Sequence, residues 1–455
     1  MTDVWYLCFG YVKIRLFKFT TGIIFQELLR AAEDPEFMHP KHLQPSCCSF
    51  SFSANFASRS IYSLMKYNFD EAPCRENTNC LKWDKREEVF GKADVIPMWI
   101  ADMDFSTPPF IIKALRERLN HEILGYSYRP DSYFDAIINW VSALHGWDIR
   151  QEWIEFSPGV VPALNICTLA YTSPGDEIII QPPVYPPFYG AVTDHGRRLV
   201  FNPLLENEQG YSMDFEGLRR VITPKTKMLI LSNPHNPVGR VWTRDELSEL
   251  AEICHEKGII ILSDEIHSDL LLPGMKHVPL ASVSEKAAAI TVTCMAPSKT
   301  FNLAGLSTSS MIISDPGLME KYRTTLIGLH MHLGNIFGNI ASEAAYTFGR
   351  EWLEQLMKYI EGNVDLVMDF CRDRLPVIRP VRPEATYMIW LDCRAMGMSG
   401  EALNRFFVEQ AGVGMNEGSR FGPGGEGFMR MNVACPRATV LHALESIETA
   451  IKTLG

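Results

Sequence analysis

Lys299 stands in TCMAPSKTFNLAGL, residues 293–306, among small, apolar and hydroxyl-bearing neighbours with no carboxylate close by in sequence. An unpaired ammonium in low dielectric is costly, so such a lysine is either solvated at the surface or kept as a neutral amine for chemistry. Three other stretches place polar groups beside apolar runs. SNPHNPVG, residues 232–239, fixes a tight loop with its prolines and glycine and leaves the Asn236 amide as a directional donor. SDEIHSD, residues 263–269, sets Asp264 just past an apolar run, where a carboxylate needs a cation, a cofactor N–H or a metal. SPGVVPALNICTLA, residues 157–170, reads as a turn opening into an apolar helix whose first N–H groups can receive a phosphate. Each has a plain alternative when taken alone: an Asn/Pro loop, a helix cap, a surface lysine.

The elements that must position these groups are legible. Ile178–Ile180, Met228–Leu231 and Ile259–Leu262 are short apolar runs bounded by Gly, Pro, Asn or Asp, as expected of strands buried on both faces. Between the last two lies TRDELSELAEICHEKG, with Thr243 and Glu246 at capping-box spacing. Leu247, Leu250, Ala251 and Cys254 fall on one face, and Gly258 is placed to end the helix. Strand, helix, strand predicts a right-handed parallel crossover in an α/β sheet, with the ligand site beyond the carboxyl ends of the strands.

Composition bounds the rest. The 455 residues exceed one ordinary core, so two structural domains are expected, and 46% hydrophobic content suffices to bury both. A net charge of -11 with no basic run argues against a nucleic-acid surface. Eleven cysteines without a C-x-x-C pair fit reduced thiols in a cytoplasm. His330 and His332 lack nearby thiolates or carboxylates, and no metal is assigned. No apolar run reaches the roughly 20 residues that a membrane span needs. The opening VWYLCFGYVKIRLFKF is aromatic and then basic, the reverse of a secretory signal, and residues 1–64 continue through the Ser/Phe-rich CCSFSFSANFASRS. The expectation for residues 1–64 is a poorly ordered N-terminal extension carrying no chemistry.

The order and separation of the phosphate turn, Tyr185 in PPVYPPFY, Asn236, Asp264 and Lys299 resemble the fold type I enzymes that use pyridoxal 5'-phosphate, within the aminotransferase class I/II superfamily. The common aminotransferase signature carries Ser or Gly three residues before the lysine and Arg eight after it; here those positions are Ala296 and Ser307. APSKTFNLAGL, NTNCLKWD (77–84), IPMWIADMDF (96–105), GYSY (125–128), SDEIH and FMRMNVACPR (428–437) are instead similar to the MalY/PatB branch of carbon–sulfur β-lyases, which act on cystathionine and other cysteine S-conjugates. The resemblance runs from about Met65 to the end.

The resemblance implies that Lys299 holds the cofactor and serves as base at the substrate Cα, and that Asp264 pairs with the pyridinium N–H. Tyr185 would stack on the ring, Asn236 would bond its phenolic oxygen, and His267 would lie near the same edge. Backbone N–H groups of Val160 and Val161, with Ser298, would hold the phosphate, and Tyr126 would reach it from a partner subunit. Arg430 would take the substrate α-carboxylate. The implied fold is a large domain at 109–340 with a mostly parallel sheet flanked by helices, and a smaller α+β domain built from 65–108 with 341–455, in a homodimer. Transamination is the alternative reaction. A binding protein on a decayed scaffold would show Lys299, Asp264 or Arg430 eroded, and none is. GPGGEG at 422–427 suggests a dinucleotide loop only superficially, since no βαβ unit follows it.

Overall fold

The computed structural model describes residues 65–208 and 210–454, together with the backbone of an N-terminal hairpin. The chain divides into two units at Ser60/Ile61. In the first, Trp5–Phe9 pairs antiparallel with Val12–Leu16. The expectation of a poorly ordered extension over 1–64 otherwise lies outside the described residues.

The second unit is built on a seven-stranded sheet with the spatial order 154–157, 309–312, 291–295, 260–264, 226–232, 177–180, 198–201. Its pairings are parallel except for Ser309–Ile312, which runs against both neighbours. Ile178–Ile180, Met228–Leu231 and Ile261–Leu262 are fully buried, which explains why these strands read as continuous apolar runs rather than alternating ones. Register aligns Ser232, Asp264 and Cys294 side by side, so three strands deliver their carboxyl ends to one place.

The crossover between the two central strands is the helix Arg244–Glu256, closed by a reciprocal capping box between Thr243 and Glu246. Leu247, Leu250, Ala251 and Cys254 are all buried against the sheet, so helical period and capping chemistry agree. On the opposite side Gly159 has φ +134°, a value that L side chains rarely adopt, and it turns the strand Ile154–Ser157 into the helix Val160–Tyr171.

A second, antiparallel sheet orders 379–381, 388–392, 428–432 and 416–417, beside the 25-residue helix Arg350–Arg374. Phe69, Met98, Met103 and Phe105 share one core with Trp352, Leu356, Val433 and Leu444, and Ile96–Pro97 pairs with Val413–Gly414. GPGGEG leads into the antiparallel strand Phe428–Asn432 rather than a βαβ unit. Among the described residues every cysteine is a free thiol. No described helix is long and apolar enough to cross a membrane, and no described group of His, Cys, Asp and Glu could hold a metal ion.

Candidate active site

A cavity of about 310 Å³ opens at the carboxyl edge of the central strands. Val160, Val161, Tyr185, Asn236, Asp264, His267, Ser298 and Lys299 all line it, although they come from five separate stretches of sequence. Arg430 sits at hydrogen-bond distance behind Asn236. Tyr126 is 96% exposed and is not part of the cavity of its own chain.

Lys299 lies in the short helix Pro297–Thr300, directly after the buried strand Thr291–Met295. Its Nζ donates to the Ala101 carbonyl at 2.6 Å. Burial, and then the nearby Arg430 cation, bring the amine down to about 8, against a smaller opposing pull from Asp102 and Asp264. A substantial neutral fraction near physiological pH is what a base at carbon requires. The helix turn is pinned from beneath, because Thr300 Oγ1 donates to Asp269 at 2.8 Å. Asp269 in turn accepts from Trp140 Nε1 at 3.1 Å and lies 3.0 Å from His145 Nε2.

Asp264 ends its strand with a carboxylate that accepts the Ile266 N–H at 3.2 Å. Burial pushes it up to about 7, with Lys299 pulling the other way. An N–H cation brought to this carboxylate restores its ionised form. His267 is driven down to about 3 by burial and then by Lys299 and Arg430, so it is a neutral imidazole, and its buried Nδ1 has no hydrogen-bond partner.

Arg430 is held as a rigid fork. It donates to Asn236 Oδ1 at 2.9 Å, to Asn416 Oδ1 at 2.7 Å and to the Trp99 carbonyl at 3.0 Å, and its guanidinium lies 4.8 Å from the centre of the Phe421 ring. None of these partners is a carboxylate, and Nε is buried without a partner. Burial lowers this guanidinium to about 10, which leaves it charged at neutral pH and available to an anion. Because Asn236 accepts from Arg430 through Oδ1, its amide N–H groups are left for a ligand.

The residues present fit pyridoxal 5'-phosphate. An amine for the aldehyde, a buried carboxylate for the ring nitrogen, an aromatic Tyr185 and an amide donor surround one cavity that also carries the orphaned His267. The phosphate end has the N-terminus of a 12-residue helix with the hydroxyls of Ser298, Ser307 and Thr308. No described arginine lines the cavity, and Ser307, eight residues after Lys299, contributes a hydroxyl to it.

The class I and II aminotransferase family model matches residues 93–447. The chain belongs to that family. It is 46% identical to cystathionine beta-lyase PatB of Bacillus subtilis over 385 residues, covering 84% of this chain and all of the relative. Identity to protein MalY of Escherichia coli is 31%, covering 85% of this chain and all of that protein. Among solved structures, cystalysin from Treponema denticola, which contains a pyridoxal 5'-phosphate cofactor, superposes with a TM-score of 0.84 at 36% identity, over 86% of this chain and all of that one. Within the family the chain therefore lies in the carbon–sulfur lyase branch and is a pyridoxal-phosphate enzyme of fold type I.

Sequence reasoning assigns no role to several groups that this site contains. Ser232, Ile266 and Thr308 line the cavity, the Ala101 carbonyl receives Lys299, and Asn416 and the Trp99 carbonyl hold Arg430. IPMWIADMDF was informative as a motif, but carbonyl acceptors leave no trace in residue type.

Proposed function

We propose that the protein is a pyridoxal-phosphate-dependent β-lyase that cleaves the Cβ–S bond of L-cystathionine or another cysteine S-conjugate, releasing a thiol, pyruvate and ammonia. The observation that carries this reading is the low-titrating Lys299 amine, without a carboxylate partner among the described residues, in one cavity with Asp264 and next to a charged Arg430. When bound, the cofactor supplies an aldehyde that takes the substrate amine and a ring that withdraws electrons from Cα. Arg430 receives the α-carboxylate through its fork, and Asn236 and Asn416 fix that fork's direction. Asp264 would accept the hydrogen bond of the ring nitrogen and keep it protonated, and Tyr185 would pack on the ring face. Lys299 Nζ takes the proton from Cα, the electron pair closes toward Cβ, and sulfur leaves with the Cβ–S electrons. The proton on Lys299 Nζ is then available to the departing thiolate. Water completes the products. Val160, Val161, Ser298, Ser307 and Thr308 would hold the phosphate.

The proposed assembly is a homodimer in which Tyr126 of a second copy approaches this cavity. Its support is the run of exposed apolar side chains at Leu119, Ile123, Leu124, Tyr126 and Tyr128, with a second run at Ile327, Leu329, Met331 and Leu333. The domain division at 65–108 with 341–455, and 109–340, is supported by the pairing of Ile96–Pro97 with Val413–Gly414 and by the separate antiparallel sheet within 379–432, and a cytoplasmic location by the free thiols among the described residues.

Cofactor-loaded protein given L-cystathionine without a keto acid should release thiol and pyruvate in equal amounts. If neither appears, and an added keto acid yields a new amino acid, the reaction is transamination.

A further inference from the structure

The Ala101 carbonyl that receives Lys299 Nζ also receives a second donor, the hydroxyl of Tyr387, at 3.0 Å. Tyr387 is fully buried, edge-on to His267 with ring centres 6.4 Å apart, and comes from the residue just before the strand Met388–Asp392. Its ring is aimed by an unusual backbone. Thr386, immediately before it, has φ +72°, a left-handed value that disfavours a β-branched residue. That conformation is held by the Thr386 N–H on the Leu270 carbonyl at 2.7 Å and by the Met388 N–H on Thr386 Oγ1 at 3.0 Å. Strain maintained by surrounding bonds beside a reactive group points to a functional requirement for the side chain it directs.

We propose that Tyr387 is a positioning residue for Lys299: its hydroxyl pins the Ala101 carbonyl, and the pinned carbonyl sets the direction of the lysine amine. A carbonyl oxygen has two lone pairs, and here one takes the tyrosine O–H and the other the lysine N–H. The strap that carries Ala101 is otherwise bound on either side of this point. The Trp99 carbonyl accepts from Arg430, and the Ile100 and Asp102 carbonyls both accept from Asn432 Nδ2, so Ala101 is the one link of Trp99–Asp102 whose carbonyl faces the lysine. Burial raises the Tyr387 hydroxyl well above its ordinary value, so it remains a donor over the working range and does not compete with Lys299 as a base. Tyr387 thus acts on the reaction through Ala101 and Lys299 and not by touching substrate.

This inference rests on the assignment of Lys299 as the reactive amine, and it is tested first without the cofactor. In cofactor-free protein, Tyr387→Phe should raise the rate at which an amine-selective acylating reagent modifies Lys299 by roughly threefold to tenfold, the weight of one net hydrogen bond, relative to other lysines in the same sample. In cofactor-loaded protein, the same variant should bind an unreactive amino acid with unchanged affinity but exchange its Cα proton with solvent about tenfold more slowly, as misdirection of a base requires. Ala101→Gly, which loosens the same carbonyl from the strap side, should give both changes, and the double variant should add little to either single one. It also provides the test if Tyr387→Phe does not fold. Unchanged Lys299 labelling with a lowered Tm would make Tyr387 a packing residue only and overturn the inference, as would additive effects of the two variants. Failure of the lyase assignment would show instead as absent thiol release from the unaltered enzyme, with the labelling result intact.

Discussion

Lys82 and Lys299 are both lysines withdrawn from solvent, and they have opposite surroundings. Lys82, 1% exposed, lies 2.8 Å from Asp104 and 3.7 Å from Asp102, and the same two carboxylates take Arg75. Trp83 Nε1 adds a further donor to Asp104 at 2.9 Å. Lys299 has a backbone carbonyl and no ion-pair partner among the described residues, with Arg430 near enough to oppose its charge. One site satisfies an ammonium and the other disfavours it. Burial alone therefore does not mark a reactive lysine; the identity of its hydrogen-bond partners does. The two sites are also continuous in the chain, since Asp102 follows the Ala101 carbonyl directly, so the charge cluster anchors the strap from which Lys299 is held.

Substitutions that exchange these roles should separate chemistry from stability. Lys299→Ala should lower turnover by about 10³-fold, the scale of a lost general base, with little loss of Tm, because no ion pair is broken; retained turnover would remove the assignment. Lys82→Met should do the reverse. It leaves the buried Asp104 and the partly exposed Asp102 on one arginine, so chemical denaturation should show a loss of about 3–5 kcal/mol, while turnover per folded, cofactor-loaded molecule stays within a few-fold. A smaller effect concerns pH. Asp264 in the cofactor-free protein is raised from 3.8 to about 7, so the folded state holds a proton that the unfolded state has lost. Its stabilisation is fully present below about 3.8 and disappears as pH rises through 7. His267, lowered from 6.5 to about 3, has the opposite slope, losing stability as pH falls through that window. Asp264→Asn should therefore make the Tm of cofactor-free protein climb more steeply between pH 4 and 7; parallel profiles would contradict the assigned environment.

Much of the site was legible because its parts are punctuated. Asp264 and Asn236 follow apolar runs that form the central strands, and Gly159 marks a turn that only a glycine adopts easily. The helix Arg244–Glu256 was fully readable because capping residues and apolar period agree. The lysine comparison shows where such reading stops. Asp84 is two residues from Lys82, yet its carboxylate accepts the N–H groups of Asn77, Thr78 and Cys80, and the partner of Lys82 is Asp104 instead. Proximity in sequence alone does not identify the partner of a buried lysine. Ala101 and Tyr387 were invisible for a related reason: one acts through its backbone and the other is aimed by the conformation of Thr386, and neither property is written in residue type.

The most direct test of the central claim is to load the protein with pyridoxal 5'-phosphate, reduce it with borohydride, digest it and map the modified lysine by mass spectrometry. The account predicts one stoichiometric cofactor adduct on Lys299 and none on Lys82. An adduct confined to another lysine, or no adduct at all, would contradict it.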